Sequence, residues 1–132
     1  MSETVWGIVA AAGEARRFGG DKLAQRLTNG DTVLYRSCAQ LISGGINRLV
    51  VVGSPGPSHQ LDRLGQAIHA VVPGGSQRRD SIKAGLAVIP GDINWIAVHD
   101  GARPFATTDL IKRCVAAAKS TGAAVPVLEC ID

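Results

Sequence analysis

The stretch Val5–Ala12, which reads VWGIVAAA, is short, continuous and apolar. Runs of this kind are typical of parallel strands, which are buried on both faces because helices cover both sides of a parallel sheet. A polar segment that contains several glycines, 13–30, separates this run from the next apolar pattern. The start of the chain therefore predicts a buried first strand that leads into a long loop.

Helical and strand patterns alternate downstream. Apolar residues recur at helical spacing from Leu34 to Ile42, and Gly44-Gly45 is expected to end that helix. Further helices are predicted over 58–68, over 82–89 before Pro90-Gly91, and from Thr107 or Thr108 to Gly122. Further strands are predicted at Arg48–Gly53, Ala70–Val72, Trp95–His99 and Ala123–Leu128. The order predicts an α/β fold, a Rossmann-like, doubly wound, mostly parallel sheet with helices on both faces.

Composition narrows the class of protein. The chain has 132 residues, which suits one domain of about 100–200 residues. It has no apolar run of membrane-spanning length and no basic, apolar leader, so we expect no membrane partner and a cytoplasmic location. The three cysteines are far apart and form no CxxC pair, which favours reduced thiols over disulfides or a zinc site.

Charge and aromatic content indicate the kind of ligand. The net charge is +3, and basic residues cluster at Arg16, Arg17 and Lys22 and again at Arg78-Arg79. A nucleic-acid-binding protein usually adds a broad basic face or stacking aromatics, and this chain has one Tyr, two Phe and two Trp. The pattern favours a small polyanionic ligand over nucleic acid.

In doubly wound sheets, ligands bind outside the carboxyl ends of the strands. The first loop at that edge begins Ala11-Ala12-Gly13, whose small side chains let backbone amides approach phosphate oxygens. Arg17 and Lys22 follow with groups suited to phosphate. The spacing fits neither the dinucleotide G-x-G-x-x-G pattern nor a Walker A loop. An ordinary basic loop is the alternative.

The second loop, Gly74–Ser81, precedes a predicted helix, whose first amides can bind an anion or the polar edge of a base. Ser81 could offer a hydroxyl to such a ligand. The alternative is that Ser76 or Asp80 caps the helix.

The third loop, Asp100–Phe105, begins with Asp100 at a strand's carboxyl end. A carboxylate there can hold Mg²⁺ near phosphates or bind a ribose hydroxyl. Arg103 can anchor Asp100 or reach a phosphate, and Gly101 leaves room for a ligand. The alternative is a buried Asp–Arg pair that fixes the loop. We expect His99 to pack or hydrogen-bond beside the strand rather than to bind metal.

Three motifs together resemble the 2-C-methyl-D-erythritol 4-phosphate cytidylyltransferase family: AAGEARRF with the lysine of GGDK, GGSQRRDSIKAGL, and VHDGARPF. The resemblance implies a nucleotidyltransferase fold and Mg²⁺-dependent attack of a sugar-alcohol phosphate on the α-phosphorus of CTP, with release of pyrophosphate. The implied catalytic residues are Arg17 and Lys22. The implied nucleotide-binding residues are Ala11, Ala12, Gly13, Gly75, Ser76, Ser81, Asp100 and Gly101, with Asp100 also at the metal and Arg78 and Arg103 in support.

The resemblance covers nearly the whole chain but only the first part of a typical family member. Residues 1–132 are therefore interpreted as the nucleotide-binding part of the domain, without the C-terminal arm that makes such enzymes homodimers and binds the sugar phosphate. We expect weak or absent turnover by this chain alone, with residual nucleotide affinity. The alternatives are a ribitol-5-phosphate cytidylyltransferase and a non-catalytic nucleotide-binding or structural α/β domain.

Overall fold

The computed structural model describes residues 4–11 and 21–127. Within those ranges, four parallel strands form one sheet in the order β3-β2-β1-β4. The strands are β1 Val5–Ala11, β2 Arg48–Gly53, β3 Ile68–Val72 and β4 Trp95–Asp100. The α-helices are α1 Val33–Ser43, α2 Arg78–Leu86 and α3 Thr108–Thr121, and short 3-10 helices span Lys22–Ala24, Pro57–His59 and Leu61–Ala67.

Helices cover both faces of the sheet, as predicted. Side chains alternate between the faces along each strand. Ile8, Val50 and Val52 form one cluster beneath α2, where Ile82 packs against them. Val9 and Val51 point to the other face and pack in the larger cluster with residues of α1 and α3. The central strands are therefore buried on both sides, which explains their continuous apolar runs.

The direction of α1 follows from the contacts at its two ends. The amide of Asn47, shortly after the helix, donates to the carbonyl oxygen of Val5 at 2.8 Å. The amide of Val5 donates in turn to Oδ1 of Asn47 at 3.1 Å. Because the end of α1 lies beside the start of β1, the helix begins at the opposite edge, where the parallel strands end. Thr32 caps that beginning by accepting a hydrogen bond from the amide of Tyr35 at 3.1 Å.

Several boundaries agree with the sequence. The Gly44-Gly45 stop of α1 is confirmed, with Gly44 as its cap. Thr107 caps the start of α3, and Gly122 ends it with a φ of 100°. The structure ends α2 at Leu86, four residues before Pro90, although Ile89 still packs beneath the sheet.

The helix predicted over 58–68 is wrong. The segment forms two 3-10 helices, and Ile68 already belongs to β3. Gln60 and Gly65 have φ values of 69° and 54°, which interrupt a continuous α-helix. The strand predicted at Ala70–Val72 is confirmed and begins two residues earlier.

The fifth strand predicted at Ala123–Leu128 is also wrong for the residues that the structure describes. Residues 123–127 have no strand structure, and Leu128 lies outside the described range. Val125 and Val127 are 80% and 85% exposed. A strand needs a neighbour for its backbone hydrogen bonds, and this segment pairs with none of the four strands.

No described helix has the length and apolar character needed to cross a bilayer.

Candidate functional site

Two of the predicted loops begin side by side. Ala11 is the last residue of β1 and Asp100 is the last residue of β4. In the register of these parallel strands, Asp100 pairs with Ala10. The amide of Gly101 then donates to the carbonyl oxygen of Ala10 at 2.8 Å. Asp100 therefore lies directly beside the start of the first loop, at the carboxyl edge of the sheet.

Part of the first loop lies outside the described residues. Ala12, Gly13 and Arg17 fall in the segment 12–20, so their nucleotide-binding and catalytic roles stay predictions. The structure describes the loop again from Asp21 onward.

The carboxylate of Asp100 is partly occupied by its own loop. Its Oδ1 accepts a hydrogen bond from the amide of Ala102 at 3.0 Å. Its Oδ2 lies 3.9 Å from Nε of Arg103, and the two side chains are 42% and 78% exposed. The alternative of a buried Asp–Arg pair is therefore wrong, because both side chains are exposed to solvent. An exposed ion pair at this distance contributes little to stability. With its side chain 42% exposed, Asp100 remains accessible to a ligand.

The loop after β4 is held from behind by α1. The hydroxyl of Ser37 donates to the carbonyl oxygen of Gly101 at 2.7 Å, and Nε2 of Gln40 donates to the carbonyl oxygen of Ala106 at 2.9 Å. On the solvent side, Nε2 of His99 lies 3.0 Å from the carbonyl oxygen of Arg103. His99 therefore hydrogen-bonds beside the strand, as expected.

Gly101 allows a close approach between the loop and α1. A Cβ at Gly101 would lie 2.9 Å from Cδ1 of Leu34 and 3.0 Å from the carbonyl oxygen of Ala10. The room left by its missing side chain is thus taken by the core rather than by open space. Its contact with a nucleotide stays a prediction that can involve only its backbone.

The second loop closes on itself. The amide of Gly75 donates to Oγ of Ser81 at 3.2 Å, and Ser81 is only 6% exposed. A Cβ at Gly75 would collide with Cβ of Asp80. The N-cap of α2 is Gln77, which makes no capping bond through its side chain, so the capping alternative for Ser76 and Asp80 is wrong.

The side chains of the second loop differ in exposure. Ser76 and Arg78 are exposed, and Oγ of Ser76 lies 3.4 Å from Oδ2 of Asp80. Ser81 can reach a ligand only through its hydroxyl group, which already accepts a hydrogen bond from the amide of Gly75. The loop is therefore a closed turn with polar and basic groups on its outer surface.

Lys22 occupies an exposed position at the start of a 3-10 helix. Oδ1 of Asp21 caps this short helix by accepting from the amide of Leu23 at 3.0 Å. Leu23 is buried in the larger cluster, and the amide of Val33 donates to the carbonyl oxygen of Gln25 at 2.9 Å. The backbone of Lys22 is therefore fixed against the first turn of α1, at the edge where the strands end.

The segment after β2 holds the Lys22 segment in place. Arg63 Nη1 lies 2.8 Å from Oδ1 of Asp31, and this hydrogen bond lowers the pKa of Asp31 below its usual value. Oδ2 of Asp21 lies 2.7 Å from Nε2 of His59. Sequence reasoning missed these partners, because nothing local marks a histidine that pairs with a carboxylate 38 positions away. Thr32, the N-cap of α1, differs from these partners because it had a local sequence signal: a capping residue just before an apolar helical pattern.

The described residues contain no group of three or more His, Cys, Asp or Glu side chains that could hold a metal ion by themselves. A cation at Asp100 would therefore need ligand atoms from elsewhere, such as phosphate oxygens. Mg²⁺ is commonly bound in that way, through one or two carboxylates together with substrate phosphates.

A comparison of the chain with sequence models of protein families identifies its family. The sequence model of 2-C-methyl-D-erythritol 4-phosphate cytidylyltransferase matches residues 5–132. The chain belongs to this cytidylyltransferase family. The resemblance noted from three motifs is thereby confirmed over almost the whole length.

Individual relatives agree with this assignment. The 2-C-methyl-D-erythritol 4-phosphate cytidylyltransferase of Pelotomaculum thermopropionicum is 34% identical over 140 residues, which cover 98% of this chain and 59% of that protein. The bifunctional enzyme IspD/IspF of Anaeromyxobacter dehalogenans is 39% identical over 135 residues, 98% of this chain and 34% of that protein. The chain thus spans between about a third and three fifths of the length of these two relatives.

Solved structures with a similar fold agree with this family assignment. The crystal structure of the Francisella tularensis 2-C-methyl-D-erythritol 4-phosphate cytidylyltransferase superposes with a TM-score of 0.73 and 28% identity, covering 89% of this chain and 53% of that one. The crystal structure of Rv0371c from Mycobacterium tuberculosis, at 20% identity and a TM-score of 0.72, shares the fold alone. The Rossmann-like architecture is therefore that of known cytidylyltransferases.

Proposed function

We propose that this chain binds CTP with Mg²⁺ and supplies the nucleotide half of a site that transfers CMP from CTP to 2-C-methyl-D-erythritol 4-phosphate. The observation that carries the proposal is the family match over residues 5–132. The pairing of Asp100 with Ala10 at the carboxyl edge supports it, because that edge is where such sheets bind ligands.

The phosphate side of the site is assigned to the first loop. The backbone amides of Ala11, Ala12 and Gly13 bind phosphate oxygens, and Arg17 and Lys22 stabilise the negative charge that develops on the α-phosphorus during attack. Phosphoryl transfer of this kind depends mainly on positioning and charge neutralisation. The exposed position of Lys22 at the strand-end edge is consistent with that role.

The nucleoside side is assigned to the second and third loops. Gly75, Ser76 and Ser81 bind the cytosine, and the neighbouring Arg78 supports this loop electrostatically. Asp100 and the backbone of Gly101 bind the ribose. The closed turn formed by Gly75 and Ser81 supports this assignment, since a fixed turn presents its polar groups without ordering them during binding.

Mg²⁺ fits at Asp100. The exposed carboxylate of Asp100 would hold the ion through a hard oxygen atom, together with phosphate oxygens of the nucleotide. The chemistry that the ion would supply there is neutralisation of phosphate charge. Arg103 lies on the Oδ2 side of Asp100, with its Nε 3.9 Å away, and its exposed guanidinium group supports the site electrostatically.

Calorimetry of the purified chain tests nucleotide binding. We expect heat on addition of CTP with Mg²⁺, and weaker binding of UTP, GTP and ATP. Absence of binding at millimolar CTP would favour a purely structural α/β domain and overturn the proposal.

A pyrophosphate-release assay tests transfer. CTP and Mg²⁺ are supplied with either 2-C-methyl-D-erythritol 4-phosphate or ribitol 5-phosphate. We expect weak or absent turnover by these 132 residues, and any turnover should require 2-C-methyl-D-erythritol 4-phosphate. Turnover with ribitol 5-phosphate instead would reassign the acceptor.

A further inference from the structure

His59 is a buried polar residue next to the proposed site. Its side chain is 8% exposed, and its Nε2 lies 2.7 Å from Oδ2 of Asp21, whose side chain is 42% exposed. Asp21 uses its other oxygen, Oδ1, to cap the short helix that begins with Lys22. One carboxylate therefore connects a buried imidazole to the backbone that carries Lys22.

The hydrogen-bond partners of His59 define its tautomer. The amide of Gly56 lies 2.9 Å from Nδ1, and an amide can only donate, so Nδ1 presents a lone pair to it. The ring proton of the neutral imidazole is then on Nε2, which donates to Asp21. The carbonyl oxygen of Gly56 is farther from Nδ1, at 3.3 Å. Both ring nitrogens thus have defined partners, and the ring orientation is fixed.

The turn that carries His59 is itself tightly held. The hydroxyl of Thr32 donates to the carbonyl oxygen of His59 at 2.7 Å, and the amide of Thr32 donates to Oε1 of Gln60 at 2.8 Å. Nε2 of Gln60 donates to the carbonyl oxygen of Gly30 at 3.2 Å. Gln60 adopts a φ of 69°, which a non-glycine residue rarely does unless its surroundings enforce it.

These contacts hold both ends of the segment 21–32 against one turn after β2. At one end the contact is Asp21 with His59, and at the other it is Thr32 with His59 and Gln60. The side chain of Lys22 is long and flexible, so the position of its backbone decides where its ammonium group can reach.

We propose that His59 and Asp21 are positioning residues that set the backbone of Lys22 so that its ammonium group reaches the nucleotide phosphates. The inference rests on the proposed function, because it takes Lys22 as a phosphate-binding residue. His59 acts through Asp21, and Asp21 acts through the cap at Leu23; neither touches the nucleotide.

A matched pair of substitutions separates positioning from general support of the fold. His59→Asn places an oxygen near Nδ1, which keeps the acceptor for Gly56 and loses the donor to Asp21. His59→Gln places an amide nitrogen near Nε2, which keeps the donor to Asp21 and loses the acceptor for Gly56. We expect His59→Asn to weaken binding of CTP with Mg²⁺ about tenfold, as for loss of one charged hydrogen bond, and His59→Gln to stay near wild type. Equal weakening by both would overturn the proposal.

Lys22→Met tests whether the effect passes through the lysine. In a Lys22→Met background, His59→Asn should cause no further loss of affinity, because the group it positions is gone. An undiminished loss in that background overturns the inference and leaves the proposed function intact. If Lys22→Met alone leaves CTP affinity unchanged, the assigned role of Lys22 fails instead, and the inference falls with it.

Asp21→Asn keeps the test informative if the His59 variants do not fold. The substitution keeps the Oδ1 cap, offers no acceptor to His59 and removes one negative charge near the phosphates. Charge alone would tighten CTP binding, whereas loss of positioning weakens it. Weaker binding supports the proposal, and unchanged or tighter binding overturns it. In the unaltered chain, ¹⁵N NMR of His59 should show a protonated Nε2 and an unprotonated Nδ1; the opposite tautomer would also overturn it.

Discussion

The hydroxyl of Ser37, in the second turn of α1, donates a 2.7 Å hydrogen bond to the carbonyl oxygen of Gly101, 64 positions away in the sequence. Both residues are buried. The bond ties the loop that follows Asp100 to the helix whose first turn also anchors the Lys22 segment. Helix α1 therefore serves as the common support for two of the loops assigned to the nucleotide.

Replacing Ser37 by Ala should destabilise the protein and loosen the Asp100 loop. The buried carbonyl oxygen of Gly101 would lose this partner, which costs about 1–3 kcal/mol of unfolding free energy. Urea unfolding measures the change, with Ser43→Ala as the control because Ser43 is an exposed residue of the same helix. Equal stabilities for the two variants would contradict the structural role given to Ser37.

Gly101→Ala should be destabilising for a steric reason. The new methyl group would lie 2.9 Å from Cδ1 of Leu34, inside ordinary contact distance, so α1 or the loop must shift. Overpacking of this kind costs about 1–3 kcal/mol. Gly91→Ala is the control, since a Cβ there meets nothing within 4 Å. Thermal unfolding should separate the two variants, and a Gly101→Ala protein as stable as the control would show that the loop can yield without cost.

Asp100→Asn should weaken nucleotide binding more strongly when Mg²⁺ is present than when it is absent. The amide oxygen can still accept from Ala102, so the loop is retained, but the charged ligand for the cation is lost. We expect CTP affinity to fall about tenfold with Mg²⁺, as for loss of one interaction with a charged group, and to fall less in EDTA, where only the contact with the ribose is altered. Asp109→Asn, at a carboxylate that is 79% exposed in α3, controls for the change of net charge. A loss that is equal with and without Mg²⁺ would argue against a metal at Asp100.

Cys38 should make stability depend on alkaline pH. Burial raises the pKa of its thiol to about 12, from a model-compound value of 9.0. Above pH 9 the unfolded chain releases this proton while the folded protein keeps it, so the unfolding free energy contributed by Cys38 declines between pH 9 and 12. The slope approaches about 1.4 kcal/mol per pH unit. Denaturant unfolding of wild type and Cys38→Ala across this range tests it; parallel pH profiles would contradict the prediction.

The sequence predicted the four observed strands well, but it also predicted a fifth strand that residues 123–127 do not form, and it predicted the connections less well. β1, β2 and β4 were recognisable because each is apolar over most of its length, and α1 and α3 because their apolar residues recur at helical spacing. The segment 58–68 was mispredicted, since Leu61, Leu64 and Ile68 mimic helical periodicity while Gln60 and Gly65 adopt left-handed backbone angles. The Gln60 side chain is held by hydrogen bonds with Gly30 and Thr32 that no local pattern reveals.

The sequence by itself determined the family, the alternation of strands and helices, and which loops carry charged groups, because periodicity and short motifs are local properties of the chain. Only the tertiary structure decided how those groups are held. It placed Asp100 beside Ala10, paired Asp21 with His59, and filled the space at Gly101 with Leu34. Such pairings depend on distances between residues far apart in the chain, which are set only when the core packs.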